Sequence, residues 1–178
     1  MTFNFPPQKI TGFTVIELLI VIAILGVLSS IVLPAINSAR EEGDTAKAKS
    51  DLRNIRSAIA LLASDTGKWP NGCPIAEITN PEIDLNDASS GLALQPTVEN
   101  NGNGCEWVSS DVSAWDGPYI KNLIDPWGNP YYFDPDFRPY DNCSSIPDEP
   151  ENVSVISFGP NGGTLNGYDC DDIFLELQ

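Results

Sequence analysis

The chain has 178 residues, of which 25 are acidic, nine are basic and none is histidine, and its net charge is −16. A surface of that sign repels nucleic-acid phosphates, so we expect no direct binding of DNA or RNA. The absence of histidine excludes Ser-His-Asp triads, Cys-His dyads and histidine-ligated zinc, and the sequence has no glycine-rich phosphate-binding string. We therefore predict that the protein is not an enzyme.

A long apolar run, residues 13–33, lies near the start of the chain and contains one ionisable residue, Glu17. At the standard helical rise, its 21 residues span about 31 Å, which matches the hydrocarbon core of a membrane. A carboxylate at that depth costs about 2.5–3.5 kcal/mol and marks a functional group that needs a partner charge. An ordinary secretory signal peptide is the alternative, but the run is too long and no A-x-A site follows it.

The start of this run resembles a known processing site. The string GFTVIE, residues 12–17, is similar to the cleavage motif of the type IV pilin and type II secretion pseudopilin superfamily. The resemblance implies that a prepilin peptidase removes a leader, residues 1–12, by cutting between Gly12 and Phe13, and that it N-methylates Phe13. Glu17 would lie about 6 Å along the helix from the new amine, and it would pair with the amine of a neighbouring subunit during assembly.

The helix is expected to continue beyond the membrane. We place a transmembrane and assembly segment at residues 13–34 and an amphipathic half at residues 35–66, where apolar residues recur at three- and four-residue steps. Gly67 and Pro70 then end the helix. The apolar positions are Ile36, Ala39, Ala46, Leu52, Ile55, Ile59 and Leu62. We expect this face to lie on a globular core.

Gly26 and Pro34 weaken the helix near the membrane surface. Pro34 removes one backbone hydrogen bond, at a cost of about 3 kcal/mol, which predicts a kink near residues 30–34. In pilins and pseudopilins, a glycine and a proline at corresponding places border a segment that loses helicity in the assembled filament. The resemblance therefore implies that the chain between Gly26 and Pro34 melts on assembly, with a static kink in the free subunit as the alternative.

The globular part, residues 67–178, is predicted to contain a small sheet. Residues 71–115 are rich in Asn, Pro, Gly and Ser, which indicates a long variable loop with room for a short helix. Residues 131–133 and 153–158 are typical of strands. Two or three short antiparallel strands on the C-terminal half of the long N-terminal helix would make a pilin-like α+β fold.

Four cysteines predict disulfides, provided that the globular part is exported. Lys9 precedes the apolar run, and Arg40 follows it with three acidic residues close behind. This weak charge bias favours a cytoplasmic leader and an outward C-terminal domain. An even set of cysteines without a C-x-x-C pair then indicates two disulfides in one of three connectivities. Four free buried thiols are the alternative. We favour the sequential pairs, Cys73–Cys105 and Cys143–Cys170.

Three strings sharpen the resemblance. GKWP at 67–70, WDGPYIK at 115–121 and DPWGNPY at 125–131 are similar to the major pseudopilin of type II secretion systems. The resemblance implies a structural subunit of a pseudopilus that polymerises through its N-terminal helix and drives protein export. It also implies the partners, which are other pseudopilin subunits, the prepilin peptidase, an inner-membrane assembly platform and a cytoplasmic ATPase. The subunit would cross the inner membrane once, with its C-terminal domain in the periplasm, and would assemble into a periplasmic filament.

The tail, residues 157–173, resembles the calcium loop of major pseudopilins. Carried over by position, the ligands for Ca²⁺ would be oxygen atoms, which suit this cation. Two departures stand out: Asn161 occupies a position where the family has an aspartate, and the longer loop offers Asp169 as a substitute ligand. A solvated acidic turn is the alternative. The implied ligands are the side chains of Asn161, Asp171 and Asp172, with Asp169 as the substitute, and the backbone carbonyls of Phe158 and Gly163.

Two other functions are kept open by the sequence. The first is a type IV pilin in a surface fibre for adhesion, motility or DNA uptake, because the span from Cys143 to Cys170 resembles the C-terminal disulfide loop of such pilins. The second is a membrane-anchored calcium-binding envelope protein that never polymerises. Only the second predicts that the carboxylate of Glu17 can be removed without functional loss.

Overall fold

The computed structural model describes residues 12–76, 80–98, 104–138, 152–163 and 167–177. It shows one long helix and a four-stranded antiparallel sheet with the strand order β1-β2-β3-β4, so the predicted α+β class is confirmed. The chain divides into two compact units, one ending at Glu42 and one beginning at Gly43. The elements are α1 (Val15–Thr66), β1 (Ile83–Asp84), a 3-10 turn (Ala88–Ser90), α2 (Ser109–Ala114), β2 (Tyr132–Phe137), β3 (Asn152–Ser157) and β4 (Ile173–Glu176).

The described part of the first unit consists of the beginning of α1 and the three residues before it. Its large apolar side chains are exposed on all sides of the helix from Val15 to Ile36. A helix that is apolar all round is either buried in a large protein or surrounded by lipid. Within the described residues, α1 is the one helix long and apolar enough to cross a membrane. This finding agrees with a membrane anchor at the N-terminus.

The second unit contains the C-terminal part of α1, which packs on the sheet through one narrow stripe. The members of this stripe follow one another at steps of one, three or four residues, which places them on one helical face. They are Ala48, Leu52, Ile55, Ala58, Ile59 and Leu62. The expected apolar face was therefore right from Leu52 onward.

The expectation that the same face begins at Ile36 was wrong. Ile36, Ala39 and Ala46 are exposed, whereas Ala48 is buried. Ala46 precedes Ala48 by two residues, and such neighbours point to nearly opposite sides of a helix. The buried stripe thus begins at Ala48, and the three earlier apolar residues do not belong to it.

The end of α1 follows from one glycine. Gly67 has a φ of 72°, the left-handed conformation that residues with a side chain rarely adopt, and its N–H donates to the carbonyl of Ala63 at 2.9 Å. A left-handed glycine of this kind closes the last helical turn. The helix therefore stops at Thr66, directly before Gly67, as the sequence predicted.

The sheet presents one face to the helix and covers the other face with a second apolar cluster. Phe133 of β2 lies opposite Val155 of β3, and both belong to the core that contains the buried stripe of α1. The neighbouring residues of each strand point to the opposite face. The cluster on that face contains Phe137, Ile156, Phe158, Tyr132, Tyr168 and Phe174.

The strands differ from the prediction in extent and number. The strand predicted at 131–133 extends to Phe137, because a bulge between Asp134 and Phe137 accommodates a proline and two aspartates. The strand predicted at 153–158 occupies Asn152–Ser157. β1 was missed because it has only two residues, and β4 was missed because the residues just before it were interpreted as a metal loop. Within 71–115, the short helix is α2.

We predict that the buried stripe of α1 dominates the stability of the second unit. Leu62 is 0% exposed and its neighbour Leu61 is 56% exposed, so the same truncation can be compared at adjacent positions. Leu62→Ala should reduce the free energy of unfolding by about 2–5 kcal/mol, because it leaves a cavity in the core. Leu61→Ala should reduce it by less than about 1 kcal/mol. Urea unfolding of the two variants, followed by far-UV circular dichroism, would measure this difference, and equal losses would contradict the assigned register.

Candidate assembly and metal sites

The N-terminus of α1 is closed by a reciprocal pair of side chains. The backbone N–H and the hydroxyl of Thr14 both donate to Oε2 of Glu17, at 2.8 Å and 2.7 Å, and the N–H of Glu17 contacts the hydroxyl of Thr14 at 3.3 Å. This arrangement is a capping box, which satisfies backbone donors that a helix leaves free at its start. The predicted assembly carboxylate therefore also has a local structural role.

The surroundings of this cap leave Glu17 accessible to another molecule. Gly12 and Phe13 precede the helix and are exposed. Within the described residues, the second oxygen of Glu17, Oε1, accepts no hydrogen bond, so it can receive a donor from another molecule. The capping role was missed in the sequence analysis, although the signal, Thr14 followed three residues later by a glutamate, was present.

Gly26 and Pro34 lie inside the helix. The structure assigns α1 without a break through both residues, with Pro34 in its interior. Ser30 lies one turn before the proline, and its hydroxyl donates to the carbonyl of Val27 at 2.7 Å. The isolated subunit thus keeps a helical backbone in the segment that is predicted to melt.

The predicted calcium loop brings three of its side chains together. Nδ2 of Asn161 donates to Asp169 at 2.6 Å and to Asp171 at 2.7 Å. The loop is packed closely, since a side chain at Gly159 would come within 2.4 Å of the carbonyl oxygen of Asp171. A cation at this point would contact the two carboxylates directly, and Asn161 would then have to present its oxygen instead of its nitrogen.

The two carboxylate oxygens of Asp172 differ in their hydrogen bonding. Its Oδ2 accepts a hydrogen bond from the backbone N–H of Asp169 at 2.8 Å, whereas its Oδ1 is buried and has no hydrogen-bond partner among the described residues. Burial raises the pKa of Asp172 to about 6 and also raises the pKa of Asp171, while a hydrogen bond with Asp171 lowers the pKa of Asp169. An unsatisfied buried oxygen marks Asp172 as a candidate ligand for a hard cation, although its carboxylate oxygens do not lie within 4.8 Å of those of both Asp169 and Asp171.

The backbone of this loop is held by the DPWGNPY turn. Asp125 is buried and accepts hydrogen bonds from the N–H of Asn129 at 2.8 Å and from the hydroxyl of Ser157 at 2.6 Å. Asn129 in turn donates to the carbonyl of Gly159 at 2.9 Å. The turn therefore connects the end of β3 to the start of the loop, so Asp125 positions the predicted ligands without being one of them. Phe158, whose carbonyl was predicted as a ligand, inserts its side chain into the aromatic cluster.

A second acidic cluster was not predicted. Glu82, Asp134 and Asp136 each place a carboxylate oxygen within 4.8 Å of the others, so the group has the ligand chemistry to hold a metal ion. The hydroxyl of Tyr168 donates to Glu82 at 3.2 Å and also to Asp134. Asn80 donates to Asp136 at 2.8 Å. The paired strands bring together residues that are far apart in the chain.

Burial sets the protonation of this cluster. It raises the pKa of Asp134 to about 7, and it also raises the pKa of Glu82. Burial raises the pKa of Tyr168 as well, so its hydroxyl stays protonated and acts as the donor. The cluster therefore holds a proton at mildly acidic pH and acquires charge as the pH rises.

The three described cysteines are disulfide-bonded. Cys73 and Cys105 form a disulfide across 32 residues of sequence, and both are buried. Cys170 is also disulfide-bonded. The second predicted pair includes Cys143, which lies outside the described residues.

Known proteins match both the N-terminal segment and a larger part of the chain. Residues 8–33 match the family described as the prokaryotic N-terminal methylation motif. The type II secretion system core protein G of Aeromonas hydrophila is 34% identical over 125 residues, which are 70% of this chain and 72% of that protein. The chain belongs to the type II secretion system core protein G family.

Further members of the core protein G family match over longer stretches. The protein from Escherichia coli K12 is 33% identical over 157 residues, covering 87% of this chain and 85% of the relative. The protein from Klebsiella pneumoniae is 28% identical over 156 residues, covering 87% and 88%. No solved structure matches the chain. The resemblance to type II secretion pseudopilins that the sequence predicted is therefore confirmed over most of the chain.

We predict that the unfolding free energy falls as the pH rises from 5 to 8, in the presence of a chelator. The folded state keeps a proton on Asp134 up to a pKa of about 7, whereas an unfolded aspartate loses it near pH 4. Between these values the folded state binds more protons, so raising the pH destabilises it, by roughly 1–3 kcal/mol in total.

The same measurement on two variants identifies the titrating group. Asp134→Asn should reduce the decline, because an amide carries no titrating proton, and Asp172, whose pKa burial raises to about 6, should account for the part that remains. Asp87→Asn should leave it unchanged, because hydrogen bonds from Ser89 lower the pKa of Asp87 and keep it ionised throughout this range. A slope that is unchanged in Asp134→Asn would show that Asp134 is not the group that titrates.

Proposed function

We propose that this chain is a structural subunit of a type II secretion pseudopilus. The observation that carries this proposal is the apolar helix with its capped Glu17, in a chain that belongs to the core protein G family. The helix stores the subunit in the inner membrane, and polymerisation through that helix builds a filament that drives protein export. The chain is a substrate for processing and a building unit, so we assign it no enzymatic activity.

Processing exposes the partner for Glu17. We place the cut between Gly12 and Phe13, with a leader at residues 1–12 and N-methylation of Phe13. The Oε1 atom of Glu17 has no donor from its own chain among the described residues, so the new ammonium of a neighbouring subunit can bind there while Thr14 retains Oε2. Pairing of the two charges relieves the cost of a carboxylate at membrane depth.

The remaining segments take the roles that the sequence suggested. Residues 13–34 form the transmembrane and assembly helix, residues 35–66 the second half of the helix, whose buried stripe begins at Ala48, and residues 67–178 the periplasmic domain. The helix between Gly26 and Pro34 would extend on assembly. Copies of the chain would contact one another and the other pseudopilins, with the prepilin peptidase, the inner-membrane platform and the cytoplasmic ATPase as the machinery that processes and assembles them.

The two alternatives are less well supported. A type IV pilin would share the methylation motif, but the relatives that match over most of the chain are named for type II secretion. A protein that never polymerises would give no reason for a carboxylate inside a membrane segment. We therefore retain the pseudopilus subunit as the function.

We propose that the tail binds Ca²⁺ at Asp169, Asp171 and Asp172, with Asn161 and the carbonyls of Phe158 and Gly163 completing the oxygen shell. Two separate observations support this site: Oδ1 of Asp172 is buried and unsatisfied, and the carboxylates of Asp169 and Asp171 converge on Asn161. The folded chain binds the cation and the unfolded chain does not, so calcium stabilises the loop by mass action.

The assembly role of Glu17 is tested by removing its charge. Glu17→Gln keeps the side-chain oxygen that the cap requires but cannot pair with an ammonium, so the protein should reach the membrane in normal amounts and form no pseudopilus. Glu41→Gln, in the same helix but outside the apolar run, is the matched control and should assemble normally. Electron microscopy of sheared filaments and the export of a secreted protein measure the two outcomes.

Mass spectrometry of the purified native protein completes this test. A chain that begins at Phe13 with one added methyl group agrees with the proposal, and a chain that still begins at Met1 contradicts it. Normal filaments from Glu17→Gln would also contradict it.

The calcium proposal predicts a stability gain that depends on the loop. With Ca²⁺ at about 100 times its dissociation constant, the unfolding free energy should rise by about 2.7 kcal/mol in the unmodified chain. Asp172→Asn should abolish this gain, whereas Asp136→Asn, in the other acidic cluster, should preserve it. Thermal unfolding with and without a chelator provides the measurement. The reverse pattern would place the cation at Glu82, Asp134 and Asp136.

A further inference from the structure

Three basic residues form a row on the outer side of α1. Lys49, Arg53 and Arg56 follow one another at steps of four and three residues, so they lie within a sector of about 60° on the helix. All three are exposed, and the row lies to one side of the buried stripe that contains Leu52 and Ile55. We call these three residues the basic row.

The basic row has no partner among the residues that the structure describes. The ion pairs of the described residues join Lys47 to Asp51 and Lys68 to Asp111. The members of the basic row form neither ion pairs nor side-chain hydrogen bonds with any described residue. Acidic groups outnumber basic groups by 25 to nine in this chain, so three unpaired cations on one face are unexpected.

The acidic and basic side chains are distributed unevenly along the sequence. Residues 67–178 hold 19 of the 25 acidic side chains and only three of the nine basic ones, while residues 40–56 hold five of the nine basic ones. The globular part as a whole is therefore strongly acidic and attracts cations. Charge complementarity of this kind fixes the orientation of an interface and disfavours wrong contacts.

Two other classes of partner are disfavoured. Nucleic acid is repelled by a net charge of −16. Anionic lipid headgroups bind basic clusters that lie immediately next to a membrane span, whereas Lys49 follows the apolar run by 16 residues. The remaining partner is a protein with an acidic surface, and a polymer of this chain supplies one beside every basic row.

We propose that the basic row contacts the acidic surface of residues 67–178 in a second copy of this chain. The proposal rests on the proposed function, because it assigns a contact within the polymer. It explains how copies with a large net negative charge can pack closely: the cations of one copy offset the carboxylates of the next. The contact is heterologous, since one surface meets a different surface, so it can repeat without closing.

The proposal is tested by reversing one charge in the full-length chain. Arg53→Glu should reduce the amount of sheared pseudopilus about tenfold at an unchanged membrane level of the subunit, because it places a carboxylate against carboxylates. Lys121→Glu is the matched control, since it changes the net charge equally at an exposed residue outside the basic row, and it should assemble normally. High salt should dissociate wild-type filaments into subunits to a greater extent than filaments of Arg53→Gln. The variant has fewer intersubunit charge pairs for the salt to screen.

A second measurement avoids the risk that a charge reversal disturbs folding. A photo-crosslinking amino acid at position 56 of an otherwise unmodified chain should form a bond to residues 67–178 of another copy, identified by mass spectrometry. Crosslinks only to lipid or to another protein would overturn the proposal, as would normal assembly of Arg53→Glu. These outcomes leave the proposed function intact, whereas absence of filaments from the wild-type chain would refute the function itself.

Discussion

The whole structure depends on a single helix that must satisfy two different environments. From Val15 to Ile36, α1 exposes apolar side chains in every direction, while from Ala48 to Leu62 it buries one stripe only. A helix can do both because its backbone hydrogen bonds are made within the segment and do not require water or a neighbouring strand. The sheet depends on the helix, because Phe133 and Val155 pack in one core with the buried stripe.

Sequence patterns predicted this helix well because its signals are local. The apolar run, the carboxylate at Glu17 and the glycine at position 67 each act within a few residues of where they occur. The register of the buried stripe was predicted correctly only from Leu52 onward. Steps of three and four residues describe a face but not its packing partner, so Ala46 satisfied the pattern while lying on the exposed side.

The candidate sites also differ in whether a local sequence signal could predict them. The candidate ligands Asp171 and Asp172 follow one another in the chain, and a family resemblance was enough to predict them. Glu82 and Asp134 are brought together by the pairing of β1 with β2, which no local signal announces because β1 has only two residues. Asp125 was hidden for another reason: a carboxylate in a turn is ordinarily solvated, and only the structure shows that it is buried against Ser157.

Excess negative charge connects these features. Burial raises the pKa of Asp134 and Asp172, which shows that the folded chain already places carboxylates where their ionised form is unfavourable. Three kinds of cation can relieve that cost: a proton, a bound metal ion, or a basic side chain from another copy. The first acts on a single chain and depends on pH, and the second depends on the ions outside the cell membrane. Only the third requires assembly, and a basic row without a partner among the described residues would offset part of the repulsion that the net negative charge brings to polymerisation.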